Sequence, residues 1–392
     1  MTLEQTGGDA PVAAAAGAPH QAADETAQIA RAAGVLALGN VTSRVLGLVR
    51  ETVKSHLFGA GAVVDAYGVA TIVPTMLYDL LVGGMVNGAL VPVFSEYAER
   101  DRDGLWRLVS AFLNLAVVVL AAVILLVELF AAPIAAFMLN EHTPEIQALG
   151  VRLLRITVPA VVFLGLSGGV VGQLYALKRL PLPALPAGGF NPAIVVAALA
   201  LHRQLGIVSL ALGLLAGAAL QVLLQLPGLR DTSIRLGLRF WHPGLRQVGL
   251  LYLPALIPLL FDVGLSRPIS LALASQTGEG GISYLNYATQ LMQMPQGLVA
   301  TAISLAVLPT LSAYAVREGE GGERGAFERT LARGLRLVIT LILPATVGLF
   351  ILAHPTVALL YGHGEFVAVD TLMTARALRF YLLGLPFAAV DL

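Results

Sequence analysis

The sequence predicts an all-α integral membrane protein of about ten transmembrane helices, arranged as one six-helix lobe followed by an incomplete parallel repeat of it. Three observations carry this. Hydrophobic residues make up 57% of the 392 residues and charged residues only 12%, about half the charged share of an ordinary soluble domain. The apolar residues run continuously rather than alternating, and over stretches longer than the roughly ten residues of a membrane strand. The remaining charges collect in every second connecting loop, as in proteins threaded repeatedly through a bilayer.

The elements follow in order. Met1–Thr26 is rich in Ala, Gly and Pro and carries Glu4, Asp9, Asp24 and Glu25. It has no basic start before a compact apolar run, so it is not a signal peptide, and residues 1–28 are expected to be a disordered cytoplasmic tail. Helices are expected near 30–58, 65–97, 105–138, 146–177, 184–202, 205–228, 247–275, 281–315, 329–361 and 371–392. Several exceed the roughly 20 residues needed to cross a bilayer, so they tilt or project beyond it. Residues 29–230 form the N-terminal lobe of six helices and 231–392 an incomplete C-terminal lobe of four.

The loops set the orientation. Arg100, Arg102 and Arg107 follow the second helix, Lys178 and Arg179 the fourth, Arg230, Arg235, Arg239 and Arg246 the sixth, and Arg317, Arg324, Arg329 and Arg333 the eighth. The alternate loops are uncharged (Gly59–Val64), acidic (Asn140–Glu145) or hold only Glu279, with Arg203 the exception. Basic loops stay on the cytoplasmic side, which places the N-terminus there. It also fixes the helix count independently of hydropathy, because one missing helix would invert every later loop.

The chain repeats itself. Pro92, Ser95, Tyr97, Ala98 and Arg100 recur as Pro309, Ser312, Tyr314, Ala315 and Arg317, and Tyr67 recurs as Tyr284 at the same offset. Ala131-Ala132-Pro133 resembles Ala353-His354-Pro355, and Arg152 and Arg155 resemble Arg376 and Arg379. Helices 1–4 thus match helices 7–10, and the even number between them makes the repeats parallel. Two parallel halves with substrate held between them and alternating access by rocking are a transporter architecture. The second copy stops at Leu392 without partners for helices 5 and 6, which reads as a truncation.

Composition also excludes chemistries. Without cysteine there is no disulfide framework, thiolate metal site or cysteine nucleophile. The balanced 24 basic and 24 acidic residues give no basic excess for nucleic acid. No Walker A, H-E-x-x-H or dinucleotide fingerprint occurs, so no metal or cofactor is expected. Gly165-Leu166-Ser167-Gly168-Gly169 fits the nucleophile motif of serine hydrolases and of intramembrane proteases. It lies inside a long apolar helix, and His202, His242, His354 and His363 all fall at loops or helix ends. Together with Gly168/Gly172 and Gly213/Gly217 it reads as close helix packing.

Four ordered blocks carry a family resemblance. The first runs Ser43-Arg44-Val45-Leu46-Gly47-Leu48-Val49-Arg50-Glu51, then Phe58-Gly59-Ala60-Gly61, Asp65-Ala66-Tyr67, Pro74, Gly84 and Ala89–Tyr97. The second is Gln173-Leu174-Tyr175-Ala176 with Pro183-Ala184-Leu185 and Asn191-Pro192; the third is Ser283–Gly297; the fourth is Tyr361–Phe366. Together they resemble the MurJ (MviN) type of lipid II flippase, within the multidrug/oligosaccharidyl-lipid/polysaccharide exporter superfamily. The resemblance implies a fourteen-helix fold of two six-helix lobes and a final pair, so that the truncation falls before the last four helices. It implies translocation of lipid II, the undecaprenyl-pyrophosphate-linked peptidoglycan precursor of the bacterial cell wall, to the outer leaflet of the cytoplasmic (inner) membrane. It further implies membrane-potential or ion coupling, through Na+ or H+, and no enzymatic reaction.

A pyrophosphate head group needs fixed cations in a polar interior, and arginine suits it because its planar fork pairs phosphate oxygens and stays charged. Cations within the membrane usually face a cavity. Arg44 and Arg50 match the family's cavity arginines. Six residues place them about 120° apart on a regular helix, so both reach one cavity only if it is wide or if the helix bends at Gly47. Ser43 and Asn40 are expected to add hydrogen-bond donors. Asp65 matches an acidic family position, with a helix cap as its other reading, and Arg50 could instead pair with Asp65 or Glu51. Two departures stand out: Tyr78-Asp79 stands where the best-known members carry basic residues, and Thr289-Gln290 where they carry an Asp-Arg pair, so two of the family's usual cavity cations are absent. Arg267 is expected to substitute for one of these cations, or else to pair with Asp262, although a five-residue spacing fits an α-helix poorly. Arg152, Arg155, Arg376 and Arg379 read as interface anchors on the outer side. The alternatives are an exporter of another lipid-linked oligosaccharide, a drug or cation exporter of the same superfamily, which would want acidic cavity residues, and an intramembrane serine protease.

Overall fold

The computed structural model describes residues 39, 41–80, 84–179, 185–230, 232, 240–300, 303, 307, 310, 311, 314 and 325–390. The tail 1–28 and most of the repeat block 308–317 lie outside them. Among the described residues there is no strand. The helices are α1 (41–58), α2 (Ala62–Tyr78), α3 (Val91–Arg100), α4 (Arg102–Leu129), α5 (Ala131–Met138), α6 (Pro144–Thr157), α7 (Ala160–Ala176), α8 (Leu185–Leu205) and α9 (Val208–Gln225). There follow α10 (Pro243–Phe261), α11 (Arg267–Ser275), α12 (Gly281–Pro295), α13 (Ala326–Ile351), α14 (Ala353–Tyr361) and α15 (Ala368–Val390). They fall on the ten apolar segments in order, most segments being broken once. Among the described residues, five continuous runs are long and apolar enough to cross a membrane: Arg102–Leu129, Pro144–Ala176, Val208–Leu229, Pro243–Ser275 and Ala326–Ile351.

Local chemistry sets the breaks. Asp101 leaves helical geometry at φ −150° and accepts a 2.8 Å bond from the Gly104 amide, which starts α4. Pro144 and Pro243 open α6 and α10 at the position where a missing amide hydrogen matters least. The third and ninth predicted segments break at matching places, after Phe130 before Ala131 and after Leu352 before Ala353. These are the Ala-Ala-Pro and Ala-His-Pro positions of the repeat. Single π turns interrupt the chain at Val86–Leu90, Asp262–Ser266 and Gln296–Ala300.

Packing relies on small residues, since lipid gives helices no hydrophobic reason to associate. A Cβ on Gly213 would stand 2.8 Å from the Ile194 Cα, and one on Gly217 2.8 Å from the Phe190 carbonyl, so α9 lies backbone to backbone on α8. Gly169 accommodates Leu113 and Gly172 accommodates Leu90. Ser167, the would-be nucleophile, accepts a 2.7 Å bond from the Gln225 side chain and is buried. That run is therefore a packing surface of α7. Between neighbouring segments, Arg155 pairs with Glu128 at 3.4 Å and Arg379 donates to the Phe350 carbonyl. The outward faces of α10 and α13 keep Leu250, Leu253, Ile257, Phe261, Val347 and Ile351 exposed, as lipid-facing helices do. One apolar core joins α2, α6 and α9 and also takes in Val263, Leu271 and Ile282, so it includes residues on both sides of the lobe boundary expected near residue 230.

Candidate functional site

Helices α1, α2 and α12 each turn a polar stripe towards the same space. On α1 the stripe is Ser43, Arg44, Gly47, Arg50, Glu51 and Lys54; on α2 it includes Tyr67, Thr71, Thr75 and Asp79; on α12 it is Asn286, Thr289, Gln290 and Gln293. Each repeats at three to four residues, the spacing of one helix face. Together with Phe190 of α8 and Arg267 they enclose a cavity of about 510 Å³, adjoined by a smaller one of about 330 Å³. Arg50, Phe190, Gln290 and Gln293 line both.

The two predicted arginines occupy these two compartments. Arg44 opens into the smaller and donates to the Gln293 carbonyl at 2.8 Å. Its guanidinium lies directly over Gly297, where any Cβ would collide with it. Arg50 sits between the compartments, donating to Glu51 Oε1 at 2.8 and 3.1 Å and to Asn191 Oδ1 at 3.0 Å. Asn191 in turn donates to the Ser43 carbonyl at 3.3 Å, so Ser43 contributes its backbone oxygen. The wide two-part cavity accommodates the angular separation of the arginines. No break at Gly47 is needed: α1 is continuous through it, and the bare backbone there lets the Gln290 amide come close. Asn40 lies outside the described residues.

Arg267 also lines the larger compartment, donating to Asp79 at 2.8 Å and pairing with Asp262 at 2.8 Å. The pairing with Asp262, expected to fit poorly, is produced by the π turn at Asp262–Ser266. A π turn brings residues five apart onto one face. The clash of the Pro268 ring with the carbonyl four residues earlier supplies its physical cause. In the larger compartment three cations (Arg50, Lys54, Arg267) meet two carboxylates (Glu51, Asp79), and Arg44 adds a cation in the smaller. The space as a whole favours anions.

Asp65 is a correction. It lines neither compartment and is completely buried. Its Oδ1 accepts from the Ser283 amide at 2.8 Å and the Ser283 hydroxyl at 2.6 Å; its Oδ2 accepts from the Gly280 amide at 2.8 Å and lies 3.0 Å from His142 Nε2. It therefore caps a helix, as its alternative reading had it, but that helix is α12 rather than its own α2. Gly280 makes this possible with φ +85°, a conformation natural to glycine. His142 Nδ1 lies 3.1 Å from the Ser275 hydroxyl. Ser, His and Asp stand in the order of a hydrolytic triad, but all three are sealed and Ser275 has no exposed surface, so the chain of contacts is a structural tie. It joins the three weakly charged loops, 59–64, 140–145 and 276–281, at one end of the cavity. Nearby, Tyr287 donates to the Gly59 carbonyl and the Glu365 amide to the His56 carbonyl.

The model of the lipid II flippase MurJ family matches residues 54–392. The chain belongs to that family. It is 34% identical over 358 residues to the lipid II flippase MurJ of Burkholderia cenocepacia, covering 88% of this chain and 68% of that protein. To a probable lipid II flippase MurJ of Bdellovibrio bacteriovorus it is 31% identical, over 92% of this chain and 70% of the relative. A solved MurJ structure in an inward closed conformation superposes with TM-score 0.77 at 26% identity, covering 90% of this chain and 73% of that one. A multidrug transporter of the MATE family, facing inward, superposes at 0.70 with 15% identity, which extends the likeness of fold to the wider superfamily. Like its MurJ relatives, the chain is a multi-pass membrane protein. In the sequence Lys54 goes unmarked, and Asn191, Thr289 and Gln290 stand out only through the family resemblance; the unusual run of uncharged polar residues Asn286, Thr289, Gln290 and Gln293 in an apolar segment is the signal for the α12 stripe.

Proposed function

We propose that this protein carries lipid II across the bacterial cytoplasmic membrane, holding the pyrophosphate head group between Arg44 and Arg50 while the lipid tail stays in the bilayer. The observation behind this is the two-compartment, cation-rich cavity set among apolar helices. The Asp65 tie closes one end of it, which suits alternating access with that end as the outer gate. The alternation of basic and weakly charged loops supports a cytoplasmic N-terminus, because the loops gathered by Asp65 are the weakly charged ones. Residues 29–230 and 231–392 act as the two rocking units. Ser43 and Asn191 position Arg50, and Arg267 is a further wall cation that its two carboxylates hold back. With a net positive interior, movement of the anionic head group is expected to respond to membrane potential, with Na+ or H+ as the coupling ion.

The test is complementation. A bacterium is depleted of its essential lipid II flippase and this chain is expressed, both as it stands and extended with the segment of a longer relative that lies beyond the match. Rescue that disappears with Arg44→Ala or Arg50→Ala supports the assignment. An extended protein that inserts, remains stable and does not rescue would point to another lipid-linked oligosaccharide.

A further inference from the structure

Resting on that reading of the cavity, we propose that Lys54 is an additional phosphate-binding residue, held on Glu51 when the cavity is empty and released to the second phosphoryl group of a lipid-linked pyrophosphate. Lys54 follows Arg50 by four residues and so lies directly beyond it on the same face of α1. Both line the larger compartment. Glu51 bridges them, with Oε1 on Arg50 and Oε2 ion-paired to the Lys54 ammonium. One carboxylate shared by two cations leaves the trio with an unmatched positive charge, whereas Arg267 on the opposite wall is bracketed by two carboxylates.

The two cations are held differently. Arg50 is braced by Asn191 as well as by Glu51, and its fork is fixed. Lys54 is anchored by Glu51 and by the face of the Tyr287 ring, 4.4 Å from its nitrogen. An ammonium on a four-carbon stem can swing from a carboxylate to a phosphate without moving the helix. Two linked phosphoryl groups match two cations one helical turn apart. A single phosphoryl group engages one of them. The pair therefore gives the cavity a means of preferring pyrophosphate-linked lipids over monophosphate-linked ones. If Lys54 served Glu51 alone, removing both charges together would leave that preference intact.

The experiment measures affinities of the full chain in lipid nanodiscs for two probes, undecaprenyl pyrophosphate and undecaprenyl monophosphate. Wild type is expected to prefer the pyrophosphate, and Arg50→Gln to weaken it. The paired variant Glu51→Gln/Lys54→Gln removes one charge of each sign, so the net charge of the trio is unchanged and Arg50 keeps its bond to Asn191; thermal melting checks that it stays folded. It is expected to lose about tenfold in affinity for the pyrophosphate while its affinity for the monophosphate hardly changes. An unchanged preference in the paired variant, with Arg50→Gln still impaired, overturns the role of Lys54 and leaves the reading of the cavity standing. If Arg50→Gln also binds like wild type, the cavity assignment itself falls, and this inference with it.

Discussion

Two regions of this protein bury charge, and they do so in opposite ways. Around Asp65 a single carboxylate meets two amides, a hydroxyl and an imidazole, and no surface is left. Around Arg50 the cations keep spare capacity: its side chain is 26% exposed to the cavity, while Glu51 is shared between two partners. A group whose every bond is made within the protein fixes structure. A group with bonding capacity turned towards a cavity is available to a ligand. Both positions belong to the family pattern in sequence, and the completeness of their bonding separates them.

Substitutions should divide along that line. The largest effect on stability is expected from Asp65→Ala, which strands buried donors from α12 and leaves His142 without its carboxylate. Breaking a buried charged network of this kind costs about 3–5 kcal/mol, measurable as a lowered melting temperature in detergent, with Asp65→Asn intermediate. Arg50→Ala is expected to reverse the balance: near-native melting, and loss of rescue in the complementation assay. A fall in stability as large as that of Asp65→Ala would erase the distinction between the two regions. Gly297→Leu should come next. It displaces the Arg44 guanidinium from its seat and weakens binding of undecaprenyl pyrophosphate by about the factor of ten associated with a charge-assisted contact.

The smallest expected effect lies in the loop before α10. His242 Nδ1 accepts the Gly244 amide, so the neutral ring is the capping form. Burial, and then the nearby Arg107, hold its pKa below the ordinary 6.5. A lowered folded-state value means that the contribution is complete above that ordinary value and fades as pH falls through the lowered one. A slight drop in melting temperature on acidification, absent in His242→Gln, would register it.

Much of this was legible from the chain. The order of helices follows from hydropathy and loop charge, which any bilayer imposes. Arg44 and Arg50 were legible because a cation in an apolar segment has few explanations. Lys54 was not: near Glu51 in the sequence it reads as half of a local ion pair, and the Tyr287 ring that completes its surroundings is more than two hundred residues away. The role of Asp65 was half legible: capping is a property of the side chain, but which helix it caps depends on tertiary approach. Asp262 and Arg267 were spaced in plain view, yet an α-helical ruler put them on different faces. A local change of periodicity is invisible until the backbone is seen.

That change of periodicity has an evolutionary side. A π turn such as Asp262–Ser266 is equivalent to a single inserted residue absorbed within a helix. Each residue turns an α-helix by about 100°, so a residue inserted without such a turn would rotate everything beyond it, whereas the π turn takes up the extra residue and both halves keep their faces. Deleting Gly264 would return α10 and α11 to one regular register and leave Asp262 and Arg267 four residues apart, still on one face. A lineage can therefore gain or lose one codon at this turn while keeping both the wall cation and the lipid-facing residues of α10 in place.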